Sequence, residues 1–243
     1  MANPIKVLVC GNGRMGELVR ATVEADEALE VVGQVGIEDV EALDAGDTIP
    51  AADVVIDFTN REMLPHLAAY LRRNPAALVC GTTGFDEKDQ ATLDDLAMQM
   101  PVMWSANYSL GVAVLKRLAA EAAQVLEGFD IEIVETHHNQ KVDAPSGTAK
   151  LLLSAVDPDE QCTVVNGRDG MVGARPKREI GMHALRGGTV AGTHELHFFG
   201  TDEEVTLTHR AASRQIFVNG AVAAAKRLVE QEPGRYSFDE LML

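Results

Sequence analysis

Cysteine is scarce: Cys10, Cys80 and Cys162 are the only three in 243 residues. Their number is odd and their spacing wide, so they form neither a disulfide framework nor a CxxC metal knuckle. Two of them end apolar runs (VLVC and ALVC), where a buried strand cysteine is expected. Basic residues are few as well. Lys and Arg number 21 against 37 Asp and Glu, a formal net charge of −16. A surface that acidic repels phosphate backbones and speaks against a nucleic-acid partner. No apolar run approaches the ~18 residues that cross a bilayer, so no membrane partner is expected. The opening MANPIKVLVCGNG lacks the basic start, apolar middle and cleavage site of a secretory signal, and a cytoplasmic location is expected. Internal repeats and low-complexity tracts are absent. What is present is ordinary for a soluble globular chain, 46% hydrophobic and 24% charged, long enough for one large or two modest domains.

Short apolar runs alternate with helical patterns in the first part. Strands are expected at 5–10, 29–35, 53–58, 77–80 and 102–105, with helices at 14–25, 62–74 and 86–99. That alternation predicts an α/β fold with a Rossmann-type doubly wound parallel sheet. The pattern changes after Leu110. A long alanine-rich helix (111–126) leads to a strand at 131–134 and a helix at 148–155. Glycine-punctuated strands follow at 179–185, 188–191, 195–199 and 204–209, predicting a second α+β domain with a mixed or antiparallel sheet. A helix at 217–231 closes the pattern. The domain reading is 1–109 for dinucleotide binding, 110–215 for substrate binding and oligomerisation, and 216–243 as a C-terminal helix returning to the first domain.

Gly11-Asn12-Gly13-Arg14-Met15-Gly16 fits G-x-G-x-x-G directly after a strand and at the opening of a helix, the context the motif requires. The first glycine allows the tight turn, the second lets the backbone approach a pyrophosphate, and the third lets helix pack on strand. After the second strand come Gly36-Ile37-Glu38-Asp39, with acids and no nearby base. Glu38 is the better candidate for the ribose hydroxyls, a reading that leans to NADH. Arg14 leaves NADPH possible. Thr59, Gly81-Thr82-Thr83-Gly84 and Ser105-Ala106-Asn107-Tyr108 each follow an apolar strand, which places them at the carboxyl edge where the nicotinamide half belongs. Each alone reads equally as an ordinary turn.

The segment VETHHNQKVDAPSGTA, from Val134 to Ala149, concentrates polar chemistry. His137 and His138 can move protons near neutral pH, Lys141 can pair with an anion, and Ser146-Gly147-Thr148 at a helix start offers backbone N–H groups to a carboxylate. The bland reading is a structural histidine satisfied by Glu135, an exposed lysine and a helix cap. His183, His194, His197 and His209 invite a metal. Residues three apart on a strand face opposite ways, so His194 and His197 do not converge, and no metal is expected.

In order, these motifs resemble those of the 4-hydroxy-tetrahydrodipicolinate reductase (dihydrodipicolinate reductase) family, essentially end to end. The resemblance rests on GRMG at Gly13, DFT at Asp57, GTTG at Gly81, SANYS at Ser105, ETHHNQKVDAPSGTA at Glu135 and ASRQIFVNGA at Ala212. It implies reduction of a small cyclic dicarboxylate imine with NAD(P)H in diaminopimelate and lysine biosynthesis, by a homotetramer. It implies His137 as acid/base and Lys141 as second proton donor. His138, Ser146, Gly147 and Thr148 become the substrate contacts; Gly11, Asn12, Gly13, Arg14, Met15, Gly81, Thr82, Thr83, Ser105, Ala106, Asn107 and Tyr108 become the cofactor contacts. The basic residue that some members carry after the second strand is missing here. Two other readings stay open: a dehydrogenase for another small keto or imino acid, and a nicotinamide-sensing module without chemistry.

Overall fold

The computed structural model describes residues 3–45 and 49–243. It divides into two compact units, Met1–Ser109 with Gln215–Leu243, and Leu110–Arg214. In the first, β1 (Ile5–Cys10), α1 (Arg14–Glu24), β2 (Leu29–Val35), α2 (Val40–Ala45), β3 (Val54–Asp57), α3 (Leu64–Arg73), β4 (Ala77–Cys80), α4 (Glu87–Ala97) and β5 (Pro101–Trp104) follow in turn. Val7–Cys10 of β1 and all of β3 and β4 are buried. Helices cover both sheet faces, which is why these strands read as unbroken apolar runs rather than alternating ones. Asp86 caps α4, accepting from the Lys88 and Asp89 amides at 2.9 and 3.1 Å; Ala substitution at such a cap costs about 1 kcal/mol.

The second unit opens with α5 (Leu110–Val125) and continues through β6 (Asp130–His137), α6 (Gly147–Val156), β7 (Thr163–Val165), β8 (Glu179–Arg186), β9 (Gly192–Phe199) and β10 (Glu204–Ala211). The sheet order is β10-β9-β6-β8-β7. β6 is central, parallel to β8 and antiparallel to β9. Ile133, Leu196, Phe198, Ile180 and Met182 pack with Leu115, Ala119, Ala149 and Leu152 into this unit's core. Two sequence expectations need correction. β6 runs to His137 and not only to Val134. Residues 188–191 form no strand. β8 and β9 flank β6 on opposite sides, so the chain must leave the sheet plane and pass the end of β6. Gly187 N–H to His137 O (2.9 Å) and Asn139 N–H to Gly188 O (3.2 Å) hold that crossing.

The chain then completes the first unit with α7 (Gln215–Leu228), β11 (Gly234–Tyr236) and α8 (Phe238–Met242). β11 adds an edge strand that the sequence reading did not contain. The finished sheet is wholly parallel, ordered β11-β5-β4-β3-β1-β2. Strand order reverses at β1, and ligands of such sheets bind at the carboxyl end of the reversal. Within α7, Gly220 lies so close to the Tyr108 carbonyl that a Cβ there would overlap it.

Candidate functional site

Register places four loops on one edge of the first sheet. Cys10 pairs with Asp57, Asp57 with Cys80, and Cys80 with Trp104. The glycine loop, Thr59, Gly81–Thr83 and Ser105–Asn107 therefore leave the sheet side by side. Gly11 holds φ +128°, a conformation that strains any side chain. Gly16 abuts the Gly11 carbonyl, with no room for a Cβ. Gly13 caps α1 without a side-chain bond and has nothing within 4 Å of where a Cβ would stand. A tight turn, a close helix approach and an open, uncapped helix start are the three properties a pyrophosphate site needs, so these residues fit a dinucleotide.

Glu38 is exposed, in a 3-10 turn after β2. Its carboxylate accepts from the Asn12 side chain, so the second strand's acid is tied to the glycine loop. Its own backbone amide, then Asn12, hold the carboxyl below its usual range. A carboxylate here suits ribose hydroxyls and repels a 2′-phosphate.

Beneath the edge, Asp57 is buried among donors. Thr59 Oγ1 lies at 2.5 Å, Thr82 Oγ1 at 2.8 Å and Cys80 Sγ at 3.0 Å. Burial pushes the Asp57 carboxyl up, and the bonds from Thr59, Cys80 and Thr82 oppose it. The Thr82 side chain is 2% exposed and faces this carboxylate, which leaves Thr83, exposed, as the outward side chain of its loop. Tyr108 is also enclosed. Its hydroxyl donates to Cys80 O at 2.8 Å, and its ring meets Phe58 and Phe238 edge-on. Its side chain is core of the first unit, so only its backbone is left for a cofactor.

In the second unit, His137 is the last residue of β6 and 8% exposed. Its Nδ1 lies 2.6 Å from Glu135 Oε2. Burial draws its pKa below the ordinary histidine value; Glu135 pulls the other way. His138 follows, with an Nδ1 that has no hydrogen-bond partner. Lys141 Nζ pairs with Asp143 at 2.8 Å. Ser146 caps α6, its Oγ accepting from the Ala149 amide at 3.1 Å. Gly147 has nothing within 4 Å of a Cβ position, so the helix start is open. Among the described residues no group of three or more metal-ligating side chains converges. His183 and His197 face their own carboxylates, Glu132 at 2.7 Å and Glu204 at 2.8 Å.

Three residues at this site were not assigned from sequence: Glu135 as more than a satisfied partner, Arg186 and His194. Glu135 stands two positions before His137, so strand alternation puts both on one face; recognising β6 as longer would have shown it. Arg186 and His194 come only through pairing, opposite His137 and Glu135 respectively. His194 Nε2 meets Ser146 Oγ at 3.1 Å, and its ring stands edge-on to His137 at 5.2 Å.

Burial first, then the neighbouring His137, lower the His194 pKa from 6.5 to about 4. The folded protein keeps His194 neutral where the unfolded chain protonates it. Its contribution to stability is therefore whole above pH 6.5 and is lost as pH falls toward 4. One pKa unit is worth about 1.4 kcal/mol, so the loss over that window is of order 3 kcal/mol. His194→Gln, which keeps an amide for Ser146, is expected to flatten the fall in urea midpoint between about pH 7 and about pH 4.5. The same fall in both proteins would show that His194 is not the group responsible.

A parallel sheet reversed at a glycine loop, with a second mixed-sheet unit presenting a histidine and an open helix start, defines an NAD(P)-dependent oxidoreductase. The chain matches the family described as dihydrodipicolinate reductase, N-terminus, over residues 5–108, and dihydrodipicolinate reductase, C-terminus, over 111–242. The 4-hydroxy-tetrahydrodipicolinate reductase of Caldanaerobacter subterraneus subsp. tengcongensis is 41% identical, with 98% of each chain covered. That of Brachyspira hyodysenteriae is 39% identical, covering 98% of this chain and all of its own. The fold is shared with dipicolinate-bound dihydrodipicolinate reductase from Paenisporosarcina sp. TG-14, with TM-score 0.77, 23% identity, and 98% and 99% of the two chains covered. The chain belongs to the dihydrodipicolinate reductase family.

Proposed function

We propose that this protein reduces 4-hydroxy-tetrahydrodipicolinate to tetrahydrodipicolinate in diaminopimelate and lysine biosynthesis, with NADH as the preferred cofactor and NADPH as a possible one. The observation that carries the reading is His137 at the end of β6, within reach of the Lys141 charge, with the open start of α6 in the same unit, on a chain that belongs to this family. NAD(P)H, held by Gly11–Met15, Glu38, Thr59, Gly81–Thr83 and the Ser105–Tyr108 backbone, supplies the hydride. His137 and Lys141 supply the proton taken up at the neighbouring carbon, after water is lost from the hydroxylated ring. The N–H groups of Gly147 and Thr148, with His138, grip a carboxylate, which offsets the repulsion a −16 chain exerts on a dianion. Ser146 is buried, its amide given to Glu135 and its Oγ engaged with the Ala149 amide and His194, so it shapes the helix start instead of touching substrate. The same reading takes the first unit as the nucleotide domain, the second as the substrate and assembly domain, and the working form as a cytoplasmic homotetramer. No helix of the described residues is long and apolar enough to cross a membrane.

The test is steady-state oxidation of NADH and of NADPH, on one preparation, with freshly generated substrate. Turnover with kcat/KM about tenfold or more in favour of NADH is expected, as is inhibition by pyridine-2,6-dicarboxylate. Comparable efficiencies would overturn the NADH preference drawn from Glu38. Nucleotide binding without substrate-dependent turnover would leave a sensing module, and turnover indifferent to the planar diacid would point to another imino or keto acid.

A further inference from the structure

We infer that Glu135 is a positioning residue for His137: its carboxylate dictates which imidazole nitrogen exchanges the proton, and it ties that ring to the start of α6. The inference rests on the reductase reading for what the proton does, but not for where the proton sits.

Glu135 is fully buried, yet each oxygen is engaged. Oε2 faces His137 Nδ1 at 2.6 Å and accepts from Arg186 Nη1 at 2.8 Å. Oε1 accepts from Arg186 Nη2 at 2.8 Å and from the Ser146 amide at 3.0 Å. Burial alone would raise this carboxyl. Bonds from Arg186, then from His137 and Ser146, outweigh it and hold the group below its usual range. An ionised carboxylate only accepts, so Nδ1 of His137 must donate. Nε2 is left as the nitrogen that takes and gives the proton.

Every element around the ring contributes to this. Glu135 acts from β6 itself, Arg186 from β8, His194 from β9, and Lys141 from the segment after β6. The His194 ring packs edge-on against His137, at 74° between the ring planes. Arg186 Nη2 also donates to Asp143 O at 2.7 Å, and Asp143 holds Lys141. One carboxylate–guanidinium pair thus spans the proton-moving ring, the lysine segment and the amide end of α6. A buried pair kept only for stability is replaceable by apolar residues with little loss, and it would need no bond to the imidazole.

The direct test needs no variant. Nitrogen-15 shifts of labelled histidine in the wild-type protein, above the His137 pKa, are expected to show Nδ1 protonated and Nε2 bare. An Nε2–H tautomer, or a rapid mixture, would overturn the proposal whatever the activity. Glu135→Gln is the kinetic arm. Its amide nitrogen presents a donor to Nδ1 and reverses the tautomer, so kcat is expected to fall about 10²- to 10⁴-fold while KM for NADH stays within about twofold. Glu135→Asp, which restores the charge at shorter reach, is expected to recover part of that loss. The His137 limb of the pH profile should move to lower pH in Glu135→Gln, which has lost the charge favouring imidazolium. Unchanged kcat and profile in a folded Glu135→Gln protein would also sink the idea. If wild-type protein turns over no substrate at all, the reductase reading fails, and the tautomer still answers for Glu135.

Discussion

His137→Gln is expected to lower kcat by about 10²- to 10⁴-fold, the usual worth of a positioned acid or base, and to leave NADH affinity within about twofold. Glutamine fills similar space and retains an amide for Glu135, but it has no group that protonates near neutral pH. The nucleotide loops belong to the other unit, so binding has no reason to follow turnover. Burial also predicts the pH behaviour. The free enzyme holds the His137 pKa below its ordinary value, so a kcat/KM limb that needs imidazolium falls with rising pH at a midpoint under 6.5. A bound dicarboxylate favours the charged ring, and the corresponding kcat limb should lie at higher pH. Fluorescence titration with NADH and initial rates across pH decide the matter. Equal losses of affinity and turnover would make His137 a structural residue.

The second large effect is expected at Gly16. An added Cβ would overlap the Gly11 carbonyl, a backbone atom that cannot swing aside. Gly11 has little freedom to yield, since it already sits at φ +128° and abuts the Phe58 carbonyl, 2.8 Å from where its own Cβ would be. Relief must come from moving α1 off the sheet. Gly16→Ala is therefore expected to cost about 3 kcal/mol or more, the upper end of overpacking, and to weaken NADH binding at least 100-fold. Gly13→Ala is the informative contrast. Its Cβ meets nothing within 4 Å, so the urea midpoint should barely move, while NADH binding falls because the methyl occupies space the pyrophosphate needs. NADH binding undiminished by Gly13→Ala would sink the dinucleotide reading of the loop.

The first sheet was legible because buried parallel strands are short, apolar and bounded by polar turns; β1, β2 and β4 stand where the runs stand. β11 was not legible. Gly234–Tyr236 has no apolar run of its own and becomes a strand by pairing with Pro101–Met103. In the second unit the failure was one of length. Ending β6 at Val134 put the histidines in a loop and hid the alternation Ile131, Ile133, Glu135, His137. The turn at 188–191 was misread because its residues carry no sign that the chain must pass β6. Arg186 and His194 are more than 45 positions from their partners Glu135 and Ser146, and only strand pairing brings them there. Tyr108 could not be sorted from its neighbours by sequence: Ser105, Ala106 and Asn107 share its loop, and only packing against Phe58 and Phe238 separates it from them.

The Gly220–Tyr108 contact sets an order of events during synthesis. Residues 110–214 leave the ribosome between the two halves of that contact. At about 5–20 residues per second, roughly 5–20 s pass in which the nascent parallel sheet has neither α7 nor its β11 edge. During that interval the second unit, contiguous in the chain, can complete its own core. The first closes only the face where Val102 packs on Leu93, Leu96 and Met100; Met103 still lacks its β11 neighbour, and Tyr108 waits for Gly220 and Phe238. Chaperone capture of nascent chains stalled after residue 214 should accordingly map to the older half of the molecule.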